Sequence, residues 1–176
     1  MAETADDFLE RLASLPSFQH AVASPEGDRV ALYYDVTGRN ELHVLDVETG
    51  DLQQISDGEV PRNARWHIDW SADGDWVYFH DDEGGNEQND IYRIGVRGES
   101  EGEAEHLTDL EGQTALVDVA DDGETLLLGS NRDGQMNLFA YNLASDGVSK
   151  LTDYDRATAS GGFSPDGDRL AYATNE

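Results

Sequence analysis

Chemistry in this chain would have to come from five histidines, one run of acids, three tryptophans and a short basic stretch. The histidines are His20, His43, His67, His80 and His106, and no two stand at a short metal-ligand spacing. A histidine could instead serve as base to a serine nucleophile. That needs a serine on a sharp strand-to-helix elbow of the Gly-x-Ser-x-Gly kind, and none is expected here. The histidines therefore read as strand or channel-facing residues; no catalytic, cofactor-binding or metal-binding residue is assigned. The stretch Asp81-Asp82-Glu83-Gly84-Gly85-Asn86-Glu87-Gln88-Asn89-Asp90 is dense in the oxygens that calcium takes. Its glycines and glutamates fall at the wrong offsets for an EF-hand, so it reads as an acidic, solvated hairpin. Trp66, Ile68 and Trp70 would share one face of a strand, with a core role favoured over stacking on a ligand. Arg62-Asn63-Ala64-Arg65 is the densest basic spot, either beside a channel mouth or on a solvated or ion-paired rim.

The elements that must hold these residues are announced by a repeated phrase. It reads Ser24-Pro25-Glu26-Gly27-Asp28, Ser71-Ala72-Asp73-Gly74-Asp75, Ala120-Asp121-Asp122-Gly123-Glu124 and Ser164-Pro165-Asp166-Gly167-Asp168. The acid can bond its own local backbone, and the glycine takes a positive φ without a Cβ clash, so each copy is a tight turn. A nearly continuous apolar run follows each turn, as in Val30 to Tyr34, Trp76 to Phe79, Thr125 to Leu128 and Leu170 to Ala173. Such runs suit strands covered on both faces. A strand precedes each turn, and a third and a short fourth strand follow the first three pairs. The fourth strands end in Ser56-Asp57, Thr108-Asp109 and Thr152-Asp153. A four-strand unit repeating every 40 to 50 residues or so is the pattern of a β-propeller blade. A β-sandwich with frequent Asp-Gly turns is the alternative, but it needs no register that restarts on the same phrase.

The fold expected is all-β: a partial propeller of about three and a half four-stranded antiparallel blades, preceded by a short helix. Residues 1–17 form the helical lead-in, with a helix N-cap near Thr4 and apolar residues Phe8, Leu9, Leu12 and Leu15 at helical spacing. Residues 18–176 form the propeller, with blades over about 18–58, 64–110 and 114–154 and a partial blade over 158–176. The Ser164-to-Tyr172 stretch, with Leu42 to Gly50 and Leu151 to Asp153, resembles the TolB-like, WD-repeat-like propeller repeat. That family includes TolB, tricorn-type proteases and the prolyl oligopeptidases. An acidic helix leading into a first blade resembles the start of haloarchaeal and bacterial prolyl oligopeptidase family serine peptidases. The resemblance implies a non-catalytic lid and size filter for peptide substrates, held by a parent enzyme. A non-enzymatic scaffold for protein partners is the alternative. Two copies could also associate through open blade edges into one ring.

Charge bounds the partners. The chain carries 38 acidic against 11 basic residues, a net charge of −27, and Lys150 is its one lysine. Like charge on this scale works against a compact state at low salt, so a salt-rich interior such as a halophilic archaeal cytoplasm is expected. Nucleic acid and acidic membrane surfaces are disfavoured as partners, since phosphates need a basic footprint. There is no cysteine, hence no disulfide or thiol chemistry. No cofactor is expected, no run is apolar enough to cross a membrane, and the amino terminus lacks a secretory pattern, so a cytoplasmic location is the default.

Overall fold

The computed structural model describes residues 5–82 and 84–174. A single helix, α1 (Ala5–Ala13), comes first; the N-cap expected at Thr4 lies outside the described residues. Phe8, Leu9 and Leu12 are each more than half exposed.

Four antiparallel sheets follow in chain order. The first holds β1 (Phe18–Ala23), β2 (Arg29–Tyr34), β3 (Glu41–Asp46) and β4 (Leu52–Gln54). The second holds β5 (Asp69–Trp70), β6 (Trp76–Asp82), β7 (Asn89–Gly95) and β8 (Ala104–His106). The third holds β9 (Thr114–Val119), β10 (Thr125–Ser130), β11 (Asn137–Asn142) and β12 (Gly147–Lys150). The last is the pair β13 (Ser160–Phe163) and β14 (Leu170–Ala173). Every strand pairs with its sequence neighbour, so each sheet is a simple meander. This is a partial β-propeller: three four-stranded blades and a two-stranded fourth.

The repeated phrase forms the corner between the first and second strands of every blade. Gly27, Gly74, Gly123 and Gly167 have φ of 73°, 67°, 71° and 71°, which is why glycine stands there. Each donates its N–H to the carbonyl of the phrase's first residue at 2.8–2.9 Å.

The core lies between blades. Val77 and Phe79 of β6 join Ala31, Tyr33, Leu42 and Val44 of blade one. Tyr78 of the same strand faces the other way, onto Leu116, Leu126, Leu128 and Phe139 of blade three. Strand alternation therefore sends successive β6 side chains into two different interfaces, and the whole run must be apolar. Strand β10 is likewise buried, whereas Ala171 to Ala173 of β14 are exposed. Among the described residues no strand pairs with the outer edge of β14.

A second device recurs toward the outer strands. The buried hydroxyls of Ser56, Thr108 and Thr152 accept the backbone N–H groups of Leu42, Ile91 and Leu138 at 2.8–2.9 Å. Each hydroxyl donates to a side chain in the first two residues of the third strand: Glu41, Asp90 or Asn137. That same side chain accepts an N–H from the next connection, of Gly58, Leu110 or Tyr154. One polar clip thus ties the end of each fourth strand to the start of its third.

Candidate functional site

Of the residues singled out from sequence, His20, Trp70 and the Arg62-to-His67 stretch lie on the inner strands and the connection into blade two, whereas His43, Trp76, His80 and His106 lie on later strands. His20 and His67 each stand four residues before the repeated phrase, so both occupy the same inner position in successive blades. His20 lies at a bulge in β1, with φ 52°, and its Nε2 meets the Ala64 carbonyl at 2.9 Å. His80, in β6, is almost fully buried. Its Nε2 accepts the Leu116 N–H at 2.8 Å, so the ring proton sits on Nδ1, which donates to the His67 carbonyl at 3.1 Å. Burial, with the nearby His67, pushes the His80 pKa down to about 3. A neutral ring with both nitrogens engaged is a structural tie between blades two and three, not a base. His43 is buried with Nδ1 3.2 Å from the Glu41 carbonyl. His106 stacks on Tyr92 at the rim, 4.4 Å between centroids.

Two acids line the same inner strands at the opposite end, Asp69 and Asp118, each two residues before its phrase. Asp118 accepts the Phe163 N–H at 2.7 Å and so fastens blade four to blade three. Burial raises the Asp69 carboxyl above the usual range, although the Trp70 N–H and His67 favour its charged form; the charge of Asp118 pushes it further up.

The tryptophans depart from expectation. The strand expected over 66–70 is only Asp69–Trp70. Ile68 and Trp70 enter the core as expected, but Trp66 is half-buried and lines an open cleft. The physical reason lies in the connection before it. Its carbonyls are taken by blade-one side chains instead of a partner strand: Arg39 binds those of Gly58 and Val60, and Asn40 binds that of Pro61. Together with the His20 bond to Ala64, this holds the chain off the sheet until Asp69. Each tryptophan carries a guanidinium over its ring: Arg65 over Trp66 at 5.5 Å, Arg29 over Trp70 at 4.9 Å, and Arg93 over Trp76 at 4.2 Å.

In the acidic loop Asp81 and Asp82 turn their carboxylates onto nearby backbone. Asp82 accepts the N–H groups of Gly85 and Glu87 at 2.8 and 3.1 Å, and Asn86 caps Gln88. Asp90 belongs to the polar clip. Among the described residues no group of three metal-ligating side chains gathers.

One expectation needs correcting outright. A Gly-x-Ser-x-Gly string does occur, Gly98-Glu99-Ser100-Glu101-Gly102. It forms a turn of 3-10 helix, Gly98–Ser100, in the rim hairpin between β7 and β8, and a strand follows it rather than a helix. The Ser100 carbonyl caps Glu103 within that hairpin at 2.9 Å. The strand-to-helix geometry that makes an elbow serine a nucleophile is absent from it.

Blades, corners and inner-strand residues together define a partial β-propeller of the TolB kind. The model of the PD40 family, TolB beta propeller domain, matches residues 8–176, and the chain belongs to that family. Among solved structures it is similar to TolB from Acinetobacter baumannii, at 21% identity and a TM-score of 0.73 over 90% of this chain and 38% of that one. A puromycin-hydrolyzing peptidase of Mycobacterium tuberculosis matches at 15% identity and a TM-score of 0.67, over 89% of this chain and 28% of that one. The β-propeller domain of the Trilobed protease from Pyrococcus furiosus, described as having an open velcro topology, matches at 15% and 0.59, over 83% of this chain and 45% of that one. The chain thus spans less than half the length of each of these proteins. Identities this low speak to the fold alone.

Proposed function

We propose that this chain is the propeller portion of a serine peptidase of the prolyl oligopeptidase type, a lid and size filter that does no chemistry itself. The observation behind this reading is the pair of peptidase-associated propellers among its structural neighbours, one matched over 89% of this chain but 28% of its own length. The side chains agree with such a role. The rings of His20 and His80 are tied to backbone, the one Gly-x-Ser-x-Gly string is a rim turn, and Asp82 caps the backbone of its own acidic loop. On this reading peptide reaches the parent enzyme past the propeller, in a salt-rich cytoplasm.

The test is made on the full product of the gene. A serine probe of the fluorophosphonate type should label a residue outside 18–176, and deleting 18–176 should let long unfolded chains be cut alongside short peptides. A product with no reactive serine, or unchanged size selection after the deletion, would overturn the reading. A non-catalytic scaffold for protein partners is the second reading, favoured by the TM-score of 0.73 to TolB. An unlabelled product that retains protein partners on affinity capture would select it.

A further inference from the structure

The chain has a large excess of carboxylates, so an arginine that meets none of them stands out. Arg39 is fully committed: it pairs with Glu41 and caps two carbonyls of the connection into blade two. Arg93 pairs with Glu105 and Arg97 with Asp75. On that same connection Arg62 and Arg65 form no ion pair and donate no side-chain hydrogen bond among the described residues. Both are exposed, and both line one open cleft of about 630 Å³. The backbone beneath them is fixed by the bonds from Asn40 to Pro61, from His20 to Ala64 and from Arg65 N–H to the Asn63 carbonyl. The Arg65 guanidinium carbon lies over the Trp66 ring, 5.5 Å from its centroid, and no partner among the described residues takes its N–H donors. Trp66 is backed in turn by the buried His80, 5.5 Å between centroids. The cationic wall is therefore built on a rigid support, with an indole beside it.

Across the cleft stand Asp81, Asp82 and Glu87, none within 4 Å of either arginine. That wall repels an extended polyanion, while the near wall carries two guanidiniums whose donors are unclaimed among the described residues. We propose that this cleft binds a peptide through one carboxylate, held by Arg62 and Arg65, with a neighbouring apolar side chain against Trp66. The carboxylate could belong to an acidic side chain or to a free carboxyl terminus. The site uses the propeller alone and stands whether or not the chain serves a peptidase.

The experiment uses the whole chain at one fixed salt concentration at which circular dichroism shows it folded. Isothermal titration compares three short peptides: acetyl-Ala-Phe-Ala with a free carboxylate, the same peptide amidated, and acetyl-Ala-Glu-Phe amide. The amidated neutral peptide should bind about tenfold or more weaker than the better of the two carboxylate peptides. Whichever carboxylate peptide binds tighter identifies the source. The double substitution Arg62→Gln and Arg65→Gln should remove that preference, and Arg62→Lys with Arg65→Lys should retain part of it. The peptide comparison is made on the unaltered chain, so it holds even where a variant folds poorly. Equal binding of the amidated peptide, no binding of any peptide, an undiminished preference in the glutamine variant, or tighter binding of a single-stranded oligonucleotide would each overturn the proposal.

Discussion

His80 shows how one side chain can hold two blades and set a pH limit. Its Nε2 accepts a hydrogen bond from blade three and its Nδ1 donates one within blade two, so the folded state requires a neutral ring. Its pKa lies at about 3 in the fold against 6.5 for an ordinary histidine. Between those values the unfolded chain binds the extra proton and the folded chain does not. Stability is therefore fully present above about pH 6.5 and is lost as pH falls toward 3, by up to about 1.4 kcal/mol per pH unit from this one group. His67, also lowered by burial, acts in the same direction. Denaturant titrations at molar salt should show stability declining from pH 6.5 to 5, and His80→Gln should flatten that decline. An identical slope in the variant would remove His80 from the account. A second residue-scale prediction comes from the turn phrase. In three copies its serine hydroxyl accepts the N–H five residues on: Arg29, Trp76 and Arg169, at 3.0–3.1 Å. The third copy has Ala120 there, at the edge of an open cleft. Ala120→Ser should let Thr125 donate in the same way and hand the hydroxyl proton to Asp122, raising stability by about 0.5–1.5 kcal/mol. An unchanged denaturation midpoint would count against it.

At the scale of elements, the polar clips explain how short, polar outer strands stay attached. The strands β4, β8 and β12 are three, three and four residues long, too short to rest on ladder bonds alone. In blade two, Thr108→Val keeps the shape of the side chain while removing the acceptor for Ile91 and the donor to Asp90. The Ile91 N–H is then left buried without its acceptor, while the partly exposed Asp90 keeps the Leu110 N–H, at a cost of about 1–3 kcal/mol. Asp90→Asn should cost about 1 kcal/mol or less, because Asn137 fills that place in blade three. A midpoint for Thr108→Val equal to that of the parent would sink the clip as a stabilising device. The clips also mark where sequence reading stopped. The corner phrases and the apolar second strands were legible because each is coded within a few consecutive residues. The clip joins residues 15 to 18 apart, Glu41 to Ser56 and Asp90 to Thr108, and its signal, a Ser or Thr closing each fourth strand, was visible but had no evident partner. Trp66 was misplaced for a related reason. Its neighbours alternate like a strand, and only the long-range bonds from Arg39, Asn40 and His20 keep the segment off the sheet. The Arg62 and Arg65 wall was noticed as basic, but its freedom from carboxylates depends on where other acids spend their oxygens, which composition does not record.

The molecule as a whole is governed by charge. With 38 acids to 11 bases, ion pairs can neutralise only a minority of the carboxylates, and the rest repel. Several of the acids serve nearby backbone: Asp46 takes the Thr49 N–H and hydroxyl within its own turn, and Asp35 takes those of Ser17 across the ends of β1 and β2. Such bonds hold a carboxylate below its usual pKa and so keep it charged, which sharpens the repulsion as it stabilises the turn. Screening is the remaining relief. The Debye length falls from about 10 Å at 0.1 M to about 3 Å at 1 M, shorter than the spacing of most surface charges. The melting temperature should therefore climb steeply from 0.1 M to molar potassium chloride, with the far-ultraviolet β signal following the same curve. Association of two copies through the open edge of β14 would add to that rise, since two bodies of charge −27 cannot approach until screened. Chain concentration separates the two effects. Screening within one copy gives a melting temperature independent of concentration, whereas edge pairing makes it rise with concentration and yields a doubled mass by sedimentation in molar salt. A melting temperature that stays flat from 0.1 M upward would defeat the charge argument. A monomer mass throughout would leave that argument standing and remove the paired ring.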